Sequence, residues 1–319
     1  MEAPPALIGY DDLAAWGYAR PTVQAAAGGM LMPLRKGVYV QADAWRSAYP
    51  EQRIAARAQA LARVSAARPV FSHETAAALH DLPLHLPAQH QVHVIVGDGR
   101  PGAAAGAVRH RGELAASDIV DTGGLLCTSL LRTAADIART SPFEKAVTVV
   151  DAVLRRRCTT GHHGYSEEAA RAVCADILAI ARRSAHGVGR AERVLRFADG
   201  RAQLPGESIS RVWFAHLGFP RPRLQVAVAA PPRGRSTHYY LDFALDQADA
   251  FGEFDGRMKY RDGRLTVDRT ADDVFDEEKQ REDWIRGTTG RRIVRWGWPH
   301  IRSAAVLGER MAAFGIAPA

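Results

Sequence analysis

Hydrophobic residues along this chain follow two spacings, a helical one of three or four and a strand-like one of two, and the switches between them mark its elements. In "YDDLAAWG", Leu13 and Trp16 share one helical face and Asp11 can cap it. A second helix opens at "ARPTVQAAAGG", where Pro21 suits a first turn and Gly28-Gly29 stops it. "MLMPLRKGVYV" then reads as strand, tight turn and strand, with Arg35, Lys36 and Gly37 at the tip. Helix, turn, helix and a basic-tipped hairpin predict a winged helix over residues 1–50. Its second helix, carrying Arg20, Thr22 and Gln24, would enter a major groove, while Arg35 and Lys36 would meet phosphates.

The pattern then turns to mixed α+β. "EQRIAARAQALARVSA" predicts a helix with its arginines on the solvated side, Ser72 caps "HETAAALH", and "QVHVIV" alternates as a strand. "AVRHRGEL", "DIVDTGGLLCTS" and the helix "SLLRTAADIAR" complete an α+β domain over 51–140. Residues 141–200 read as helices linking or packing between the two ends of the chain. From 201 to 319 the order becomes a helix, "PGESISRVWFAHLG", and three strands, "RLQVAVAA", "HYYLDFAL" and "AFGEFDG".

Composition narrows the function classes. The 319 residues carry 47% hydrophobic and 24% charged side chains, as in an ordinary globular protein of two or three domains. Nothing approaches the roughly 20 apolar residues of a membrane span, and the N-terminus lacks a signal-peptide pattern, so a cytoplasmic protein with no membrane partner is expected. Cys127, Cys158 and Cys174 form no CxxC pair, which argues against a disulfide framework or zinc knuckle. A net charge of +7, mostly arginine, makes double-stranded DNA the first partner to consider. The histidines do not suggest a metal. His73 and His80 lack the HExxH spacing, and His110, His162 and His163 have no acid or thiol at ligand spacing.

The chemistry concentrates in the last strands. If Gln247 and Ala248 form a two-residue loop, Asp246 faces Asp249 and Asp242 faces Glu253. Carboxylates paired across a hairpin repel one another and need a proton or cation between them. Asp255 would project beside Glu253, with Leu241, Phe243 and Phe254 on the opposite, buried face. Oxygen ligands of this kind suit Mg2+ or Mn2+, and Lys259 is the nearest ammonium in sequence.

These residues resemble a known superfamily. The helix acid in "GESISR", Gln225 in "RPRLQV", Asp242 in "LDFAL", Glu253 and Asp255 in "GEFDG", and the later "EEKQREDWIRGTTG" and "RRIVRWGW" look like PD-(D/E)XK nucleases of the very-short-patch-repair branch. The resemblance implies an α/β restriction-endonuclease-like domain with a mixed central sheet, Asp242 and Glu253 as metal ligands, Glu207 as a third acid and Gln225 lining the site. It departs where many members place lysine: this chain has Asp255 there. Lys259 stands where the related branch often has histidine, and Lys279 is a second candidate for the base.

The run from "LIGYDDLAAWG" to "RKGVYV", with "SHETAAALHDLPL" and "CTSLLRTAADIA", is similar to AbiEi-type antitoxins of type IV toxin-antitoxin systems. That resemblance implies DNA binding by the winged helix. A cognate toxin or self-association stays open as a further partner. The expectation is a metal-dependent DNA endonuclease of defence or repair; the alternative is a regulator or antitoxin-like protein whose nuclease domain has lost catalysis.

Overall fold

The computed structural model describes residues 3–16, 29–87, 91–97, 101–104, 106–161, 164–232, 237–256 and 271–318. Arg20, Thr22 and Gln24, the helix expected to carry them, and Lys259 lie outside the described residues. The chain divides into two compact units, one of residues 1–157 with 167–198 and one of 158–166 with 199–319. The helices expected as a separate linker over 141–200 thus fall mostly within the first unit, as do the regions 1–50 and 51–140. Both units are mixed α/β with mixed sheets.

The first unit begins with a small sheet. β1 (Ile8–Gly9) leads into α1 (Tyr10–Ala15), and β2 (Leu31–Arg35) and β3 (Val38–Gln41) form the expected hairpin in the order β1-β3-β2. Its turn is Lys36-Gly37, with Gly37 at φ 74°, so Arg35 ends a strand while exposed Lys36 occupies the turn. Asp12 rather than Asp11 caps α1, accepting the Gly9 N–H at 2.6 Å. α2 (Ala42–Ser47) and α3 (Pro50–Val64) follow, and Trp45, Ala56 and Ala60 pack with Leu34, Val38 and Val40 in one core.

A six-stranded sheet follows: β4 (Val70–Phe71), β5 (Val92–Val96), β6 (Gly102–Ala104), β7 (Ala107–Arg111), β8 (Ile119–Thr122) and β9 (Leu125–Thr128), ordered β6-β7-β5-β4-β9-β8. β5 pairs with β7 in parallel and with β4 antiparallel. Between β4 and β5 lies α4 (His73–Leu79), and after β9 come α5 (Leu130–Thr140), α6 (Phe143–Cys158), α7 (Glu167–Ala181) and α8 (Val188–Phe197). β10 (Thr159–Thr160) and β11 (Gly164–Tyr165) form a short hairpin in the second unit.

In the second unit, α9 (Pro205–His216) precedes β12 (Arg223–Ala229), β13 (His238–Leu245) and β14 (Ala250–Asp255); α10 (Ala271–Thr289) then crosses to β15 (Arg292–Gly297), and α11 (Ala304–Ala312) follows. The sheet order is β12-β13-β14-β15, antiparallel except for the parallel β14–β15 pair that the crossover helix permits. Apolar clusters separate onto the two faces. Ile209 and Phe214 of α9 and Leu307 and Met311 of α11 pack with Phe243, Phe254 and Trp296. Ile285 of α10 packs with Leu241, Ala244 and Phe251.

Leu241 therefore does not share the Phe243 and Phe254 face, contrary to simple alternation. The ladder passes from Leu224↔Phe243 to Val226↔Leu241, and between them Gln225 adopts φ 49°. That left-handed residue breaks the two-residue period at the level of Asp242. The hairpin loop also differs from expectation. Asp246–Ala248 form a 3-10 turn and Asp249 closes it at φ 47°, so Asp246 and Asp249 are not ladder partners. The register nevertheless has the predicted sum, with Leu245↔Ala250, Ala244↔Phe251 and Phe243↔Gly252.

Two glycines permit close approach in this unit. A Cβ on Gly206 would strike the Phe254 ring, and one on Gly252 would strike the Trp296 ring. Trp296 is buried and its Nε1 donates to Ser210 Oγ at 2.8 Å, so the ring has little room to retreat. Gly252→Ala is expected to cost about 1–3 kcal/mol as overpacking, read as a lower urea midpoint. An unchanged midpoint would contradict this packing.

Candidate active site

Glu207, Gln225 and Asp242 are linked beside the second unit's sheet, and Glu253 lies close enough to act on Asp242 through its charge. Glu207 lies in the first turn of α9, only 1% exposed, and its carboxylate accepts the backbone N–H groups of Gln203 at 2.8 Å and Leu204 at 3.1 Å. These bonds close the helix N-terminus, where a carboxylate also meets the favourable end of the helix dipole. Gln225 Nε2 is 3.4 Å from Glu207 Oε2 and 3.3 Å from Asp242 Oδ1, and its Oε1 accepts from Gln203 Nε2 at 2.8 Å. The positive φ of Gln225 accompanies this bridging position between the helix acid and the strand acid.

Asp242 Oδ2 accepts the Phe254 N–H at 2.8 Å across the hairpin. Burial raises its pKa to about 6; the Phe254 N–H opposes the shift, and the charge of Glu253 adds to it. The expected proximity of Asp242 and Glu253 is thus present, although their side chains are held by different partners.

Glu253 is gripped by two arginines. Arg281 Nη2 donates to Oε1 at 2.7 Å and Arg295 Nε donates to Oε2 at 2.9 Å. Arg281 comes from α10, and Arg295 is the parallel-register partner of Glu253 on β15. Arg281 also donates to the Tyr240 carbonyl, while Glu278 and Glu282 contact Arg295. Burial alone would lower the pKa of both arginines, but Glu253 and Glu278 hold them above the ordinary value. The α10 residue that reaches Glu253 is Arg281, whereas Lys279 is exposed. Asp255, at the end of β14, is also exposed.

Sequence reasoning missed both arginines and one histidine cluster. "EEKQREDWIR" places Glu278, Arg281, Glu282 and Ile285 at helical spacing, a signal that one face of α10 joins the site. In the first unit, His73 from the start of α4, His93 from β5 and His110 from β7 form the one group of three or more potential metal-ligating side chains among the described residues. Ser72 Oγ contacts His73 Nδ1 at 3.0 Å instead of making a side-chain helix cap. The carboxylates of the second unit form no such group of three among the described residues.

No protein-family model and no curated protein matches this chain. Among solved structures, the Rv2827c protein from Mycobacterium tuberculosis aligns with 14% identity and a TM-score of 0.34, over 71% of this chain and 84% of that one. A likeness at this level bears on neither the fold nor the function of this protein.

Proposed function

We propose that this is a DNA-binding protein whose C-terminal unit hydrolyses DNA phosphodiesters with Mg2+ or Mn2+ held at Asp242 and Glu253. The observation that carries this reading is the linkage of Glu207, Gln225 and Asp242 beside a mixed sheet, with Glu253 close enough to act on Asp242 through its charge. A mixed sheet whose last strand is reached through a crossover helix supports this reading. The exposed Lys36 turn supports duplex contact by the N-terminal hairpin.

The donor set fits a hard ion. Asp242 is a largely shielded carboxylate with a second carboxylate nearby, and its Oδ1 has a hydrogen-bond contact of 3.3 Å with Gln225. A bound divalent ion supplies Lewis-acid polarisation and an activated water. Gln225 aligns Asp242 with Glu207, and Phe254 N–H fixes the other Asp242 oxygen. Arg281 and Arg295 orient Glu253 and place forked donors suited to phosphate oxygens beside it.

Those arginines also favour the second reading. Both Glu253 oxygens already accept charged donors, which neutralise this acid without an ion. A domain of that kind would bind without cutting, as in a regulator or antitoxin-like protein. Isothermal titration with Mn2+ separates the two readings. The nuclease reading predicts saturable binding that Asp242→Asn abolishes; absence of wild-type binding would favour the silent domain.

DNA binding has its own test. Replacing Arg35 and Lys36 with alanine should weaken duplex binding across sequences and reduce the slope of log affinity against log salt by about 2, roughly one for each phosphate contact. No retardation of duplex DNA by the wild type would remove this part of the proposal.

A further inference from the structure

Three imidazoles from distant parts of the chain converge in the first unit. Parallel pairing of β5 and β7 sets His93 opposite Val108 and Ile95 opposite His110, bringing His93 Nδ1 and His110 Nε2 to 2.8 Å. His73 stacks on His110 with ring centroids 3.6 Å apart. One nitrogen from each ring falls within 4.8 Å of the other two.

Two further features point beyond ordinary packing. His93 Nε2 is buried without a hydrogen-bond partner, and such orphaned polar atoms are uncommon in native proteins. His73 opens its helix at φ 49°, a sparsely populated conformation of the kind that concentrates at functional sites.

The surrounding charges are paired with one another. Arg132 bonds Asp118 and Asp136, Arg139 bonds Asp136, and Lys145 pairs with Glu74. Arg183 also bonds Asp118, so the cations here outnumber the carboxylates by one, and Arg132 and Arg139 act on His73 as positive charges that ligation by the rings must outweigh. Burial is the largest influence lowering the pKa of all three histidines, with His110 brought to about 4. Neutral rings at pH 7 spare an incoming ion from competing with protons.

We propose that His73, His93 and His110 form a transition-metal site, with Zn2+ the preferred ion and an open fourth position. Imidazole nitrogens suit Zn2+, which takes three histidines in sites that leave one position for water or substrate. Ligation replaces the His93–His110 hydrogen bond and turns His73 out of its stack, so that the nitrogens rather than the ring faces meet the ion. The three histidines belong to the first unit and the acids to the second.

The test uses the full chain, freed of metal and titrated with Co2+ and Zn2+. One equivalent of Co2+ should give the visible absorption of a tetrahedral ion, displaced by Zn2+. Loss of an outer-shell partner alone costs about 10–100-fold in affinity, so His93→Gln and His110→Gln should each weaken Co2+ binding by on the order of 100-fold or more. His216→Ala, in the second unit, should leave it unchanged. Nitrogen-15 spectra of the wild-type imidazoles identify the ligands without substitution, even if a variant fails to fold. Zn2+ should shift the His73, His93 and His110 ring signals together. No saturable one-equivalent binding, or stationary signals from these rings on binding, would overturn the site.

Discussion

Asp242→Asn should stabilise the metal-free protein at neutral pH and do little at pH 4. The folded-state pKa of Asp242 is raised to about 6 from an ordinary 3.8, first by burial and then by Glu253. A carboxyl shifted upward contributes stability that is fully present below its unfolded pKa and lost as pH rises through the folded one. The window is therefore about pH 4 to 6. The interval from 3.8 to about 6 corresponds to at most about 3 kcal/mol, and to less wherever water reaches the side chain. Asparagine retains an oxygen for the Phe254 N–H while removing the charge. Urea midpoints in chelator at pH 4 and 7.5 provide the readout: the variant's advantage should grow with pH. A constant difference would show that Asp242 bears no such penalty. A carboxyl shifted this far by burial and a neighbouring charge marks a functional-site candidate.

Much of this region was legible because short-range rules govern it. Alternating apolar residues located β12, β13 and β14, and hairpin arithmetic placed Asp242 near Glu253 despite the wrong loop. A two-residue turn and the observed four-residue connection have the same register sum, so the acids meet either way. Alternation failed at Gln225, where a left-handed backbone lets Leu241 leave the Phe243 face. Pairing of Glu253 with Arg295 depends on parallel register set across the α10 crossover, which no local pattern encodes. The histidine cluster was hidden for the same reason. Its members sit 20 and 17 residues apart, and only the β5–β7 register and the α4 start bring them together. Arg20, Thr22 and Gln24, expected from the sequence to meet DNA, lie outside the described residues.

The acids also predict a large catalytic effect. On the proposed nuclease reading, Asp242 and Glu253 would each supply an oxygen to the ion, Glu253 while also accepting from Arg281 and Arg295. Alanine at either position would remove that oxygen, and it takes one of several partners from Gln225 or from each of the two arginines. Because losing an outer-shell partner alone costs about 10–100-fold, loss of Asp242 should reduce cleavage by on the order of 100-fold or more. Glu253→Ala should fall as far, and it also leaves Arg281 and Arg295 with only Glu278, Glu282 and the Tyr240 carbonyl, so circular dichroism must confirm that it folds.

Incubating supercoiled plasmid with the full chain in Mg2+ or Mn2+ tests the central claim most directly. The wild type should nick or linearise the plasmid, chelator should stop it, and Asp242→Ala should be nearly inactive while still folded. Equal cleavage by wild type and Asp242→Ala, or an intact plasmid with the wild type in both metals, would contradict it.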